Sequence, residues 1–147
     1  MAISSRFAVA VHILSLLEVN RGERITSDYI AGSVNTNPVV IRRLMSMLSR
    51  AGLVVTSAGV PGAVLSREAD RITLLDIYRA VQAGEAEGLF SLHEKPNPQC
   101  TVGRGIQSTL EIAFSRAQTA MEEELGSVTL AAIVHDMTCG DPAQPSS

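Results

Sequence analysis

The stretch Asn35–Ala51, NTNPVVIRRLMSMLSRA, decides the fold. A polar turn runs into Pro38, whose fixed φ and missing N–H suit the first position of a helix. Ile41, Leu44, Met45 and Leu48 then recur at i, i+3, i+4 and i+7, so one stripe of a helix over Pro38–Ala51 must be buried. The opposite face carries Val39, Arg42, Arg43, Ser46 and Arg50, with no acid among them. Gly52 follows as a left-handed stop. Upstream, Thr26 or Ser27 caps a short helix running to about Val34, with Asp28 in its positive first turn. Downstream, Leu53–Ser57 is strand-like, Ala58–Gly62 turns, and Ala63–Arg67 returns as a second strand. Helix, turn, helix, then hairpin is the order of a winged helix.

Working outward, Phe7–Val19, FAVAVHILSLLEV, is the most apolar segment, but its 13 residues are too few to span a bilayer and His12 and Glu18 interrupt it. We read Ser5–Val19 as a helix buried on most sides and stopped by Asn20 and Gly22, with His12 a core histidine. Leu74–Gln82 forms a short helix capped by Thr73. Gly84–Gly105 is irregular, with His93 beside Glu94 in a solvated loop. A long helix from about Gly103 to Leu125 follows. Its residues Ile106, Leu110, Ala113, Ala117 and Ala120 fall at alternating spacings of 4 and 3, a seam for a partner helix, with Met121 alongside. Val128–Val134 is a last short helix, and the tail ending GDPAQPSS is expected to be disordered.

The fold class expected is therefore mainly α with a small β-hairpin: a winged helix-turn-helix plus a long C-terminal dimerisation helix. By domain, 1–83 is the winged helix, 84–105 an effector or sensor loop, 106–135 the dimerisation helices and 136–147 the tail.

Charge is distributed unevenly over the 147 residues. The net charge is −3, yet residues 1–71 hold eight arginines against five acids (+3), and residues 72–147 hold four bases against ten acids (−6). Between Tyr29 and Arg67 there are four arginines and no acid. A local basic face on an acidic protein still attracts phosphate, and arginine's planar fork suits both phosphate and guanine edges. These features point to double-stranded DNA. The two cysteines, Cys100 and Cys139, make no disulfide framework, so a reducing cytoplasm is expected. No membrane or signal segment is expected.

Three stretches, SSRFAVAVHIL (4–14), TSDYIAGSVNTNPVVIRRLMSMLSRAGLV (26–54) and NPQCTVGRGIQ (97–107), resemble the Rrf-two family of bacterial winged-helix transcriptional regulators. The resemblance covers roughly Met1 to Val134. It implies a homodimer held by the long helix, and a repressor or activator that answers a redox or metabolic signal, with room for a small-molecule or protein co-regulator.

In helix-turn-helix docking the second helix enters the major groove N-terminus first. That assigns base and phosphate contacts to Thr36, Asn37, Val39, Arg42, Arg43 and Ser46 on a pseudo-palindromic operator. Arg6 and Arg50 are backbone clamps, and Ser27 lies at a positive helix end that suits phosphate. The wing tip, with Ser57 and Gly59, lies toward a minor groove. The family commonly has Gly-Gly-Tyr-like residues after this turn, where this chain has Pro61-Gly62-Ala63.

Relatives with a cysteine triad near the late loop hold an iron–sulfur cluster, whereas this chain has only Cys100 there. No cofactor or metal is expected, because a cluster needs several thiolates. Cys100 ahead of the long helix, near Arg104, is instead a candidate redox thiol; Cys139 lies near His135 and Asp136. Enzymatic signatures are missing: GVPGAV (59–64) lacks the Lys-Ser/Thr of a phosphate loop, and Cys100 with His93 has no orienting third group. The alternative function is a winged-helix module that binds a partner protein rather than DNA.

Overall fold

The computed structural model describes residues 5–82, 97 and 99–139. In chain order come α1 (Ser5–Val19), α2 (Ser27–Val34), α3 (Pro38–Arg50), β1 (Val54–Ser57), β2 (Val60–Leu65), a 3-10 turn (Ala69–Arg71), α4 (Leu74–Val81), α5 (Thr101–Gly126) and α6 (Leu130–Cys139). Helix α1 is the hub. It buries Ala10, Ile13, Leu14 and Leu17 and packs against α2, α3, α4, α6 and β2. Contact from several directions explains why its apolar residues are spread around the helix rather than gathered in one stripe. The sequence expectation fails at His12, which is exposed and lies 3.1 Å from the Ser33 hydroxyl of α2. An imidazole at the rim of α1 meets water and a neighbouring helix, so burial is not required.

The helix-turn-helix is set by caps. Thr26 Oγ1 accepts the Tyr29 N–H at 3.2 Å to start α2. Asn35 ends it with φ +63, the left-handed conformation that asparagine tolerates better than most residues. Asn37 Oδ1 then accepts the Val39 N–H at 2.7 Å, and Pro38 opens α3. Helix α3 buries Ile41, Leu44, Met45 and Leu48, the expected stripe. It closes at Ala51, and Gly52 has φ +78.

The hairpin differs from its expected form. Its turn is only Ala58-Gly59, and Val60 already faces Ser57. Thr56, however, faces Ala63, so Pro61 and Gly62 bulge out of β2. A bulge is a place where proline's missing N–H does no harm. Ile25 flanks β2 on its other side, exchanging hydrogen bonds with Ala63 at 3.2 and 3.0 Å. The wing is thus tied to the segment between α1 and α2.

Helix α4 begins with a capping box in which Asp76 N–H donates to Thr73 Oγ1 and Thr73 N–H to Asp76 Oδ2. Two helices reach past their expected bounds. Helix α5 starts at Thr101, inside the expected loop 84–105, because Gly103 permits what its Cβ-bearing neighbours would not: the Asn97 carbonyl lies against it. Helix α6 runs to Cys139, taking residues 136–139 from the expected tail; Thr138 satisfies its hydroxyl on the Val134 carbonyl at 2.9 Å.

Helix α6 is tied to the body of its own chain. Leu130 N–H donates to Ile72 O at 2.7 Å and Leu74 N–H to Val128 O at 2.9 Å. Leu130 is fully buried, and α6 packs on α1 and the 3-10 turn. The expected loop residues His93 and Glu94 and the tail from Gly140 lie outside the described residues.

Candidate nucleic-acid interface

Burying one stripe of α3 forces the other outward. Val39, Arg42, Arg43, Ser46 and Arg50 are all exposed, Val39 at 55%. Arg50 Nη2 reaches Ser46 Oγ at 3.5 Å, and among the described residues Arg42 and Arg43 have no carboxylate partner. Asn37 is exposed at the helix start, where its side chain already serves the cap. Thr36 is half-buried, its N–H donating to Ala31 O at 3.0 Å. These seven residues share one helix and its lead-in. The other expected contacts sit on separate elements: half-buried Arg6 on the first turn of α1, half-buried Ser27 opening α2, and exposed Ser57 and Gly59 at the wing tip.

Sequence reasoning missed Arg24. Its Nε donates to Pro61 O at 3.2 Å and its Nη2 to Gly62 O at 2.9 Å. A bulge strips carbonyls of their ladder partners, and this guanidinium supplies replacements. Gly62 has φ +92, and a Cβ there would stand 2.9 Å from Arg24 Cβ. No local signal marks this contact, since Arg24 and the bulge lie 37 and 38 positions apart. Also missed are two exposed apolar groups, Tyr29 on the first turn of α2 and Val40 beside Val39.

Helix α5 buries no residue at all in the single chain. Its C-terminal half leans on α4, where Arg79 Nη2 meets Glu122 Oε1 at 3.1 Å and Gly126 faces Leu75. Half-buried Phe114, Gln118, Met121, Glu122 and Leu125 mark that inner side. The expected seam lies roughly a quarter turn away at 100° per residue. Along it Ile106, Ala113 and Ala120 are exposed, Leu110 and Ala117 half-buried, and Val102 extends the stripe at 67% exposure. Met121 therefore belongs with the inner side more than with the seam. Exposed Ile112 lies on neither.

Cys100 is exposed at the N-cap position of α5 and makes no side-chain capping bond; the Arg104 guanidinium reaches Thr101 Oγ1 at 3.5 Å. Cys139 is exposed at the end of α6, its sulfur 3.7 Å from His135 Nδ1.

A family model described as "Iron-dependent Transcriptional regulator" matches residues 3–136, which take in the helix-turn-helix, the clamped hairpin and the long α5. The chain belongs to the Rrf2 family. Similar Rrf2-type proteins include YwnA of Bacillus subtilis (strain 168), assigned as an HTH-type transcriptional regulator. YwnA is 49% identical over 135 residues, 92% of this chain and 98% of its own. A crystal structure assigned to a DNA-binding protein superposes with a TM-score of 0.72 at 46% identity, over 88% of this chain and 98% of that one. CymR, the global cysteine regulator of B. subtilis, matches at 0.65 and 29% identity, over 91% and 96% respectively.

The family description names iron. Among the described residues no group of three or more His, Cys, Asp or Glu is placed to hold a metal. The whole sequence of this Rrf2 member has two cysteines, on the start of α5 and the end of α6. Among the described residues no helix is long and apolar enough to cross a membrane.

Proposed function

We propose that this Rrf2-family regulator is a cytoplasmic, dimeric, sequence-specific DNA-binding protein that acts as a repressor and has no enzymatic activity. Its α3 enters the major groove. Val39 meets a thymine methyl, Arg42 or Arg43 takes a guanine bidentately, and Thr36, Asn37 and Ser46 complete the base-edge and backbone contacts. Arg6, Ser27 and Arg50 hold phosphates, and Ser57 and Gly59 bring the wing to a minor groove. One observation carries the reading: the exposed face of α3 presents arginines with no acid among them, and Arg42 and Arg43 lack any carboxylate partner among the described residues. An intramolecular role for two adjacent guanidiniums would leave such a partner. The bare seam Ile106–Ala120 supports pairing of two chains through α5, which places two α3 helices on half-sites of a pseudo-palindrome. The signal is redox or metabolic; the exposure of Cys100 supports a thiol readout.

Fluorescence anisotropy on DNA from upstream of its own gene, against a scrambled competitor across a salt titration, tests the reading. Specific binding is expected to exceed the scrambled control by on the order of 10³-fold or more, with a steep salt slope. Arg42→Ala with Arg43→Ala is expected to abolish it. No binding at low salt sinks the reading. A partner protein that stays bound to this double variant would then favour the exposed α5 as a protein-docking surface, the second reading that its bare seam supports.

A further inference from the structure

Beside the recognition helix, sharing Arg50 with its outward face, lies a hollow of about 340 Å³. Its rim gathers three arginines from three parts of the chain: Arg50 at the end of α3, Arg67 after β2 and Arg79 on α4. Met47 and Leu53 line it between them. The only acid in the lining is Asp76, whose Oδ2 already accepts the Thr73 N–H at 3.0 Å. Three guanidiniums less one carboxylate leave the lining at +2.

These arginines are poorly compensated. Among the described residues Arg50 and Arg67 have no carboxylate partner, and their hydrogen bonds are long, 3.5 Å to Ser46 Oγ and 3.4 Å to Arg71 O. Arg79 alone is paired, with Glu122 of α5. Like charges gathered around a concave site repel, and a bound anion relieves that repulsion. Arginine forks grip carboxylate and phosphate oxygens bidentately, and small-ligand pockets combine an apolar lining with a few polar groups in this way.

We propose that this hollow is a binding site for a compact polyanion, a small molecule bearing phosphate or several carboxylates. Arg67 and Arg79 grip its oxygens from two sides, with Arg50 shared between this site and the DNA-facing surface. Because Arg79 also holds Glu122, a bound anion competes with α5 for one guanidinium. Occupancy is thereby coupled to the long helix. Binding itself does not depend on the DNA reading, while its effect on operator affinity does.

Calorimetric titration of the full chain with pyrophosphate and, separately, citrate, at ionic strength matched with sodium chloride and without DNA, tests the site. Saturable binding is expected, about tenfold or more weaker in Arg67→Gln and in Arg79→Gln, each such loss being the size of one charge-assisted hydrogen bond. Arg42→Gln, on the recognition face, should bind both anions as the parent does. Saturation by one anion alone identifies the class, phosphate or carboxylate. Loss in Arg42→Gln moves binding to the DNA-facing arginines and overturns the proposal, as does equal binding by the parent and Arg67→Gln, or no binding by the parent. A third arm measures operator affinity of Arg67→Gln without added anion. Unchanged affinity is expected, whereas a salt slope shallower by about 1 with anion binding intact shows that Arg67 serves a DNA phosphate and overturns its assignment here.

Discussion

Gly62 and Gly59 both stand at positive φ, +92 and +76, yet the two are not equivalent. A side chain at Gly59 meets open space, so Gly59→Ala carries only the conformational penalty of about 1 kcal/mol. At Gly62 the same penalty is joined by a clash with Arg24 and the backbone of Ile25, and Gly62→Ala is expected to destabilise by about 2–3 kcal/mol. Urea denaturation of the two variants should separate them; equal midpoints would show that the wing yields freely. The capping residues offer a smaller effect, with Thr73→Ala losing about 1 kcal/mol through the capping box. The caps of α2 and α4 were legible from sequence because each joins residues three positions apart, as Thr26 does with Tyr29 and Thr73 with Asp76. Arg24 was illegible for the opposite reason: nothing near it in the chain hints at Pro61 and Gly62.

At the scale of the element, α3 shows how cleanly one helix can divide its labour. Leu44 is 1% exposed while Arg43, its chain neighbour, is exposed. Leu44→Ala is expected to lower stability by about 2–5 kcal/mol through the cavity it leaves. Arg43→Ala should shift it by no more than about 0.5 kcal/mol while weakening operator binding. Thermal unfolding paired with anisotropy checks the division, and a large stability loss in Arg43→Ala would show that this arginine holds the fold rather than DNA. This sorting was readable in advance because a 3.6-residue period repeats over the whole of α3. The last helices were harder. The long helix reads from about Gly103 and begins at Thr101, where the close approach of Asn97 that Gly103 allows is a tertiary contact. The attachment of α6 to α1 rests on backbone bonds between Ile72–Leu74 and Val128–Leu130, and backbone groups carry no sequence signature.

For the whole molecule, the proposed function gives the compact winged helix and the long α5 different partners, DNA and a second copy of the chain. The first is held by a core of side chains from every helix of the domain, Leu130 of α6 included. The second leaves Val102, Ile106 and Ile112 in solvent at 67, 37 and 65% exposure. Placing a charge on the seam with Ile106→Glu is expected to yield monomers in sedimentation velocity that keep their helix content, since Ile106 lies outside the core of its own chain. A variant that remains dimeric would exclude this seam as the contact.

The wing has a further consequence, one of evolutionary freedom. Arg24 grips the carbonyls of Pro61 and Gly62, and every amino acid carries a carbonyl. Of the residues at the tip, only Gly62 is constrained by the grip itself. Ala58 and Val60 are therefore open to drift, so a lineage can rewrite what its wing touches while the wing stays where it is.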